Sequence, residues 1–271
     1  MQYDSAVLEG ISKRFRADMW GTVCEDAVLE CGIEECCFGP VQVTVFEALP
    51  DSPILNNVLG AAEPGAVEDG HLDAAIEWAD SFEVGYRVAV ARRRPGTAAA
   101  EALLNYHGFE QGRGLVKYVR DASLPDFPGS PEITVWEIGG EEAAGETMVY
   151  GAEEALGLPS PASSLLFSLP LQERWRTYTA ELEGEIVSFG SMLIEGTVAE
   201  LGLDATLSGA RGRGCNQALL RERILAAIEA GCQTIFAELG ESEAEGAVAA
   251  ARNLLRAGFL PAYRSMNWRR P

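Results

Sequence analysis

Over residues 217–229 apolar side chains recur at Leu220, Ile224, Ala227 and Ile228, with Leu219 and Leu225 beside them. That is the spacing of one helical face, and it predicts a helix with Gln217, Arg221, Glu222 and Arg223 turned outward. Gly231 stands just past its last turn, where the left-handed conformation ends a helix most easily. The runs around this helix are rich in β-branched and aromatic residues, the mark of strands. They predict strands at 132–138, 197–207, 233–239 and from Leu260 to the end, and a hairpin over 176–196 turning near Glu183-Gly184. Residues 141–158 read as a glycine-interrupted helix, 160–171 as a loop with a short helix, and 245–259 as a helix.

The first half repeats this succession less cleanly. It predicts a long helical region over 5–37, strands at 41–48 and 54–62, a helix at 70–82, a strand at 86–92 and a helix at 96–109. Local matches recur at nearly one offset. Gly108-Phe109 and Gly258-Phe259 lie 150 residues apart, and AAIE occurs at 74–77 and 152 residues later at 226–229. KYV (117–119) and NWR (267–269) follow their Gly-Phe pairs at equal distance. Three matches in one order predict a duplicated unit. Between the copies, DASLPDFPGS (121–130) has the composition of a linker. The expected organisation is therefore a first domain over 1–120, a linker over 121–130 and a second domain over 131–271.

Charge narrows the range of partners. The 271 residues carry a net charge of −20, which repels nucleic-acid phosphates and is compatible with cationic substrates such as amines. No apolar run approaches the roughly 18 residues of a membrane span. The start, MQYDSAVLEGISKRF, lacks a basic region followed by an apolar block. A cytoplasmic protein without membrane or nucleic-acid partners, monomeric or homodimeric, is expected. The six cysteines form no CxxC pair and there are only two histidines, so no zinc site or other metal is expected. The crowded stretch 30–37 reads as helix with buried, reduced cysteines, and His71 and His107 read as structural or exposed.

Against that acidic background SGARGRGCNQ (208–217) stands out, with Arg211 and Arg213 alternating with Gly212 and Gly214 at the mouth of the central helix. The first N–H groups of a helix lack internal partners, and the helix dipole adds partial positive charge there. Glycines let an anion approach the backbone, and arginines add fixed charge. Strand, glycine turn and helix start together make a phosphate site. It is no Walker loop, which needs Gly-Lys-Ser/Thr, and no dinucleotide loop, whose third glycine is replaced by Gln217.

The run LDATLSGARGRGCNQALL, followed about forty residues later by RNLLRAGF, resembles the GNAT superfamily of acetyl-CoA-dependent N-acyltransferases. The resembling signature spans Arg211, Gly212, Arg213, Gly214, Cys215 and Asn216, with Asn216 in place of the usual Gly or Ala. DATLSGARGRG, ARNLLRAGF, AYRSMNWRRP and, in the first half, LNNVLGAAEPG are similar to a bacterial group with two GNAT-like units per chain, the first lacking the coenzyme loop. The resemblance implies an α/β (α+β) fold of two tandem units, each a mixed, mostly antiparallel central sheet flanked by helices. It implies acetyl-CoA as co-substrate, its pyrophosphate held by the N–H groups of Arg213 to Asn216. Ala205, Thr206 and Leu207 would pair with the pantetheine arm, and one N–H there would polarise the thioester carbonyl. Asn253 is placed near the coenzyme. The first half has EPGAVEDG (63–70) at the matching turn, acidic and without arginine, so one coenzyme per chain is expected.

Acyl transfer to an amine needs a proton acceptor. The resemblance places a base at Glu200, six residues before Thr206, and Asp204 shares its face by period two. The tyrosine that usually protonates the leaving thiolate is replaced by Leu254; Tyr263 and Tyr178 are alternatives that also suit core packing. Trp136, Tyr150, Phe167 and Trp175 are candidates to line an acceptor pocket. The expected activity is N-acetylation of a small amine. The alternative is a non-catalytic acyl-CoA-binding or sensor protein.

Overall fold

The strand and helix signals resolve into one continuous sheet with helices on both faces. The computed structural model describes residues 3–20, 25–52, 55–139, 142–158, 160 and 162–271. The chain opens with α1 (Ser5–Trp20) and α2 (Glu25–Cys31), then β1 (Ile33–Phe38), β2 (Val41–Phe46) and β3 (Asn57–Leu59). It continues through α3 (His71–Asp80), β4 (Arg87–Ala91), α4 (Thr97–Tyr106), the short β5 (Glu110–Gln111) and β6 (Leu115–Asp121). The second half holds β7 (Ile133–Ile138), α5 (Glu142–Gly151), β8 (Trp175–Leu182), β9 (Glu185–Glu195) and β10 (Val198–Thr206). It closes with α6 (Cys215–Glu229), β11 (Thr234–Gly240), α7 (Glu245–Arg256) and β12 (Leu260–Arg269). A π-helical turn (Ala152–Leu156) extends α5, and a 3-10 helix (Ala162–Leu171) precedes β8. Among the described residues no helix is long and apolar enough to cross a membrane.

The duplication is visible in the pairing. The strand order is β1-β2-β3-β4-β12-β6-β11-β10-β9-β8-β7, with β5 on β12. Among the described residues each half contains one parallel pair, β3 with β4 and β10 with β11, and the other pairs are antiparallel. The halves exchange their last strands: β12 pairs with β4, β6 pairs with β11, and the two cross the centre side by side. Phe109 and Phe259 are both buried one residue past a left-handed glycine that closes a helix, so the repeated Gly-Phe pair has one structural job.

Alternation along the strands sends side chains to two faces. On one, a single core joins the halves, from Phe46, Ala91 and Val119 to Phe189, Phe236 and Tyr263. The other face holds two cores, one under α3 and α4 and one under α6 and α7. α1 lies on the shared face, and its Phe15 packs on Trp175 of β8 with ring centroids 4.6 Å apart.

Four expectations change. The helical region 5–37 is two helices and a strand: Gly32, at φ 57°, ends the helical stretch. Cys36 and Cys37 therefore sit on β1, Cys37 exposed, while Cys31 is buried; Cys24 lies outside the described residues. The strand at 54–62 is only Asn57–Leu59, with Ile54 outside the described residues. The helix at 141–158 gives way to the π-helical turn after Gly151. Arg223, expected on the outer face, is fully buried.

Candidate active site

β10 and β11 run in register only from Val198↔Thr234 to Leu201↔Ala237. Beyond Leu201 the two strands are no longer paired. The register of β10 with β9 shifts between Gly202 and Ala205, where Leu203 takes a positive φ of 54°. This bulge re-aims the strand, as bulges beside active sites do. Its anchor is Arg223, reaching up from α6. The guanidinium lies 3.0 Å from the Ser191 carbonyl and 3.1 Å from Asp204 Oδ2, with a second ion-pair contact to Asp204 Oδ1. Gly190 makes room for it: a Cβ there would fall 2.7 Å from the guanidinium carbon. Asn216 Nδ2 donates to Asp204 Oδ1 at 3.1 Å, and Asn253 Nδ2 donates to Asn216 Oδ1 at 3.0 Å. Asn216, the departure from the usual motif, is thus the link between bulge, α6 and α7.

The turn after β10 delivers the start of α6. Gly212 and Gly214 have φ of 77° and 92°, and among the described residues no side chain caps the 15-residue helix behind Gly214. The backbone bonds begin with the Ala218 N–H on the Gly214 carbonyl, which leaves the N–H groups of Cys215, Asn216 and Gln217 in the uncapped first turn. The N–H of Arg213 is turned instead to the Ala210 carbonyl at 3.4 Å. Arg211 Nε donates to the Thr206 carbonyl at 3.2 Å, and Arg213 pairs with Glu183 at 2.6 Å; both arginines are exposed. Cys215 is buried, which pushes its thiol pKa up. Around the strand end, the Ala205 carbonyl accepts from Ser188 Oγ at 2.6 Å and the Leu207 N–H donates to the Val187 carbonyl at 2.9 Å. The Ser208 N–H donates to Glu154 at 2.8 Å, and the Ser208 side chain, then this N–H, hold that exposed carboxylate below its usual range.

The corresponding turn of the first half also ends in a left-handed glycine, Gly70 at φ 74°, before a helix that no side chain caps among the described residues, but its residues are acidic. Its start is tied to the loop before α4: Glu63 pairs with Arg94, and the Gly96 N–H donates to the Ala62 carbonyl at 3.3 Å.

Glu200 lies on the shared face beneath α1 and is only 3% exposed. Ser12 Oγ stands 3.2 and 3.1 Å from its two oxygens and 3.4 Å from Glu238 Oε1 of β11. Lys117 of β6 is completely buried, with Nζ 2.6 Å from Ser12 Oγ, 3.0 Å from Glu9 and 2.9 Å from Glu238. Arg16 reaches Glu238 at 3.3 Å, and the Tyr263 hydroxyl donates to Glu9 at 2.7 Å. Burial, then the neighbouring charge of Glu238, holds the Glu200 pKa well above the usual carboxylate range. Glu238 is buried too, yet the charges of Lys117 and Arg16 outweigh that burial and hold it below the range.

No family model matches the chain, and no curated protein matches it. Solved structures do. A GCN5-related N-acetyltransferase from Sphaerobacter thermophilus superposes at TM-score 0.61 and 18% identity, over 86% of this chain and 81% of that one. An acetyltransferase from the GNAT family of Colwellia psychrerythraea superposes at TM-score 0.58 and 16% identity, over 100% and 99%. A tandem GNAT protein from the clavulanic acid biosynthesis pathway superposes at TM-score 0.57 and 14% identity, over 84% and 77%. The chain has the GNAT fold.

Within that GNAT fold the expected site residues separate into groups. Gly212, Gly214, Cys215 and Asn216 gather at one helix mouth, with Asn253 bonded to Asn216. Ala205, Thr206 and Leu207 lie at the strand end, but the Leu207 N–H is already committed to β9. Asp204 is the counter-ion of Arg223, so the side chain expected as a second base is held as a structural anion. Tyr178 donates to Glu137 at 2.8 Å and Tyr263 to Glu9, and burial pushes both hydroxyl pKa values up. Leu254, in place of the acid, is buried in the core under α6 and α7. Trp175 is core, Trp136 is half-buried, and Tyr150 and Phe167 are exposed. Ser12, Lys117, Glu238 and Arg223 escaped the sequence reading. Lys117 and Glu238 share one overlooked signal, a charge inside an otherwise apolar run, whereas Arg223 falls on the apolar stripe of α6 beside polar neighbours.

Proposed function

We propose that this chain is an acetyl-CoA-dependent N-acetyltransferase acting on a small amine. The second half (131–271) holds the coenzyme and the first (1–120) walls the acceptor side. The observation that carries this is the uncapped, glycine-lined start of α6 beside the bulged, splayed end of β10. The N–H groups of Cys215 to Gln217 open this helix just after the exposed Arg211 and Arg213, which supports a place for a diphosphate that the helix dipole favours. The first half's turn, EPGAVEDG, is acidic and without arginine, which supports one coenzyme per chain.

Acetyl-CoA supplies the acyl carbon and a thiolate leaving group. The chain must orient that carbonyl at the bulge and accept a proton from the acceptor ammonium. Glu200 is the group for the proton: its raised pKa brings it toward that of an amine, which makes the transfer efficient. The side chain accepts a proton only when ionised, so activity rises with pH through the Glu200 pKa. Leu254 at the acid position favours the second reading, an acyl-CoA sensor that binds without turnover.

Two measurements test the proposal. Titration calorimetry with acetyl-CoA on the parent chain is expected to show one site. Arg211→Glu with Arg213→Glu is expected to weaken it at least about tenfold, roughly 1.4 kcal/mol, with the difference shrinking as salt rises. Equal affinity in both proteins would remove the coenzyme reading. Glu200→Gln is expected to lower kcat about a hundredfold on a panel of primary amines, with acetyl-CoA affinity kept. Binding without turnover by the parent chain would select the sensor.

A further inference from the structure

The polar groups around Glu200 come mostly from the other half of the chain. Ser12 is on α1 and Lys117 on the exchanged strand β6, whereas Glu200 is on β10. Their hydrogen atoms can be placed by chemistry alone. An ammonium only donates, so Ser12 Oγ accepts from Lys117 at 2.6 Å, and the hydroxyl hydrogen must point elsewhere. The carboxylates around it are Glu200, at 3.1 and 3.2 Å, and Glu238, at 3.4 Å. Lys117 is held in turn, since its other two hydrogens meet Glu9 and Glu238. Phe15, one helical turn after Ser12, lies over Gly202, two residues after Glu200, where a Cβ would come within 2.6 Å of the ring. That contact sets the height of α1 over β10.

We propose that Ser12 and Lys117 are positioning residues that let the first half govern when Glu200 can take the acceptor's proton. This rests on the acetyltransferase reading given above. While Glu200 is ionised, the Ser12 hydroxyl donates to it and stabilises the charge. Once Glu200 holds the proton, it donates to Ser12 Oγ, and the hydroxyl turns to Glu238. The proton moves from the ammonium nitrogen to a Glu200 oxygen; the N–H bond breaks and an O–H bond forms. Lys117 acts through Ser12, fixing which way the hydroxyl points. The other groups facing this pair are Glu9 and Arg16 of α1, Glu238 of β11 and Tyr263 of β12, with Arg87 of β4 adding its charge to Glu238.

Ser12→Ala removes a bond from both forms of Glu200, but the bond to the ionised form is charge-assisted and stronger, so the Glu200 titration moves upward. In the full chain labelled with carboxyl-13C glutamate, and with Glu200→Gln to assign the resonance, Ser12→Ala is expected to raise that titration by about one pH unit. Ser12→Thr, which keeps the hydroxyl, is expected to restore it. The acid limb of kcat/KM on the amine panel is expected to move by the same amount, while acetyl-CoA affinity holds. Lys117→Arg, which keeps the charge where Lys117→Met could unfold the chain, is expected to shift the limb less than Ser12→Ala. A titration and limb that stay in place in Ser12→Ala, while Glu200→Gln is inactive, would overturn this inference alone. Full activity in Glu200→Gln would overturn it together with the base.

Discussion

Replacing Asp204 by alanine is expected to cost about 3 kcal/mol of folding stability, more than replacing Arg223 by methionine. The asymmetry follows from where each charge sits. The Arg223 side chain is completely buried, whereas that of Asp204 keeps 29% of its surface in water. Without Asp204 the guanidinium stays buried with only the Ser191, Leu219 and Gly202 carbonyls, at 3.0, 3.3 and 3.5 Å, to offset its charge. Without Arg223 the carboxylate can turn to solvent, and a methionine fills the space above Gly190 with apolar volume. Urea unfolding of the two variants measures the difference. Equal losses would mean that the pair contributes through shape alone. The same substitution carries a functional sign. Asp204 also receives Asn216, which in turn receives Asn253, so Asp204→Ala frees the first turn of α6 from the bulge and is expected to weaken acetyl-CoA binding.

The helices and most strands were legible because their periods are clean. The central helix, the hairpin at Glu183-Gly184 and the repeated Gly-Phe closures all follow from local rules that the fold leaves intact. Arg223 was misread because its neighbours Arg221 and Glu222 are polar, although it sits four residues from both Leu219 and Ala227 on the apolar stripe. A charge on that stripe is the signal of a buried partner, and the partner proved to be Asp204. The same logic applies to Lys117 within LVKYV and Glu238 within IFAEL, each a charge inside a strand that otherwise reads as core. Ser12 carries no such mark; only the docking of α1 over β10 gives it a role. The strand exchange was invisible for a different reason. No strand is predicted over 115–121, and the pairing of β6 with β11 rests on contacts distant in sequence, such as Lys117 with Glu238.

That exchange makes a strong demand on folding. Cut at the 121–130 connection, the first fragment would keep β6 but lose β12, the strand that pairs with β4. The second would keep β12 but lose β6, the strand that pairs with β11. Each fragment alone would carry an open, apolar sheet edge: Val88 and Val90 on β4, Ile235 and Phe236 on β11 are all fully buried in the intact chain. Such edges aggregate or fail to form. The expected result is that 1–120 and 131–271, made separately, are unfolded or aggregated, and that refolding them together at equimolar ratio recovers the native circular dichroism and a single heterodimer on size exclusion. The intact chain is then expected to melt in one transition, because neither half can lose its sheet without exposing the other's. Two separate transitions, or a folded monomeric 131–271 fragment, would mean that each strand can return to its own half, and that the seam beneath α1, where Lys117 meets Glu238 and Ser12 meets Glu200, is dispensable for the fold.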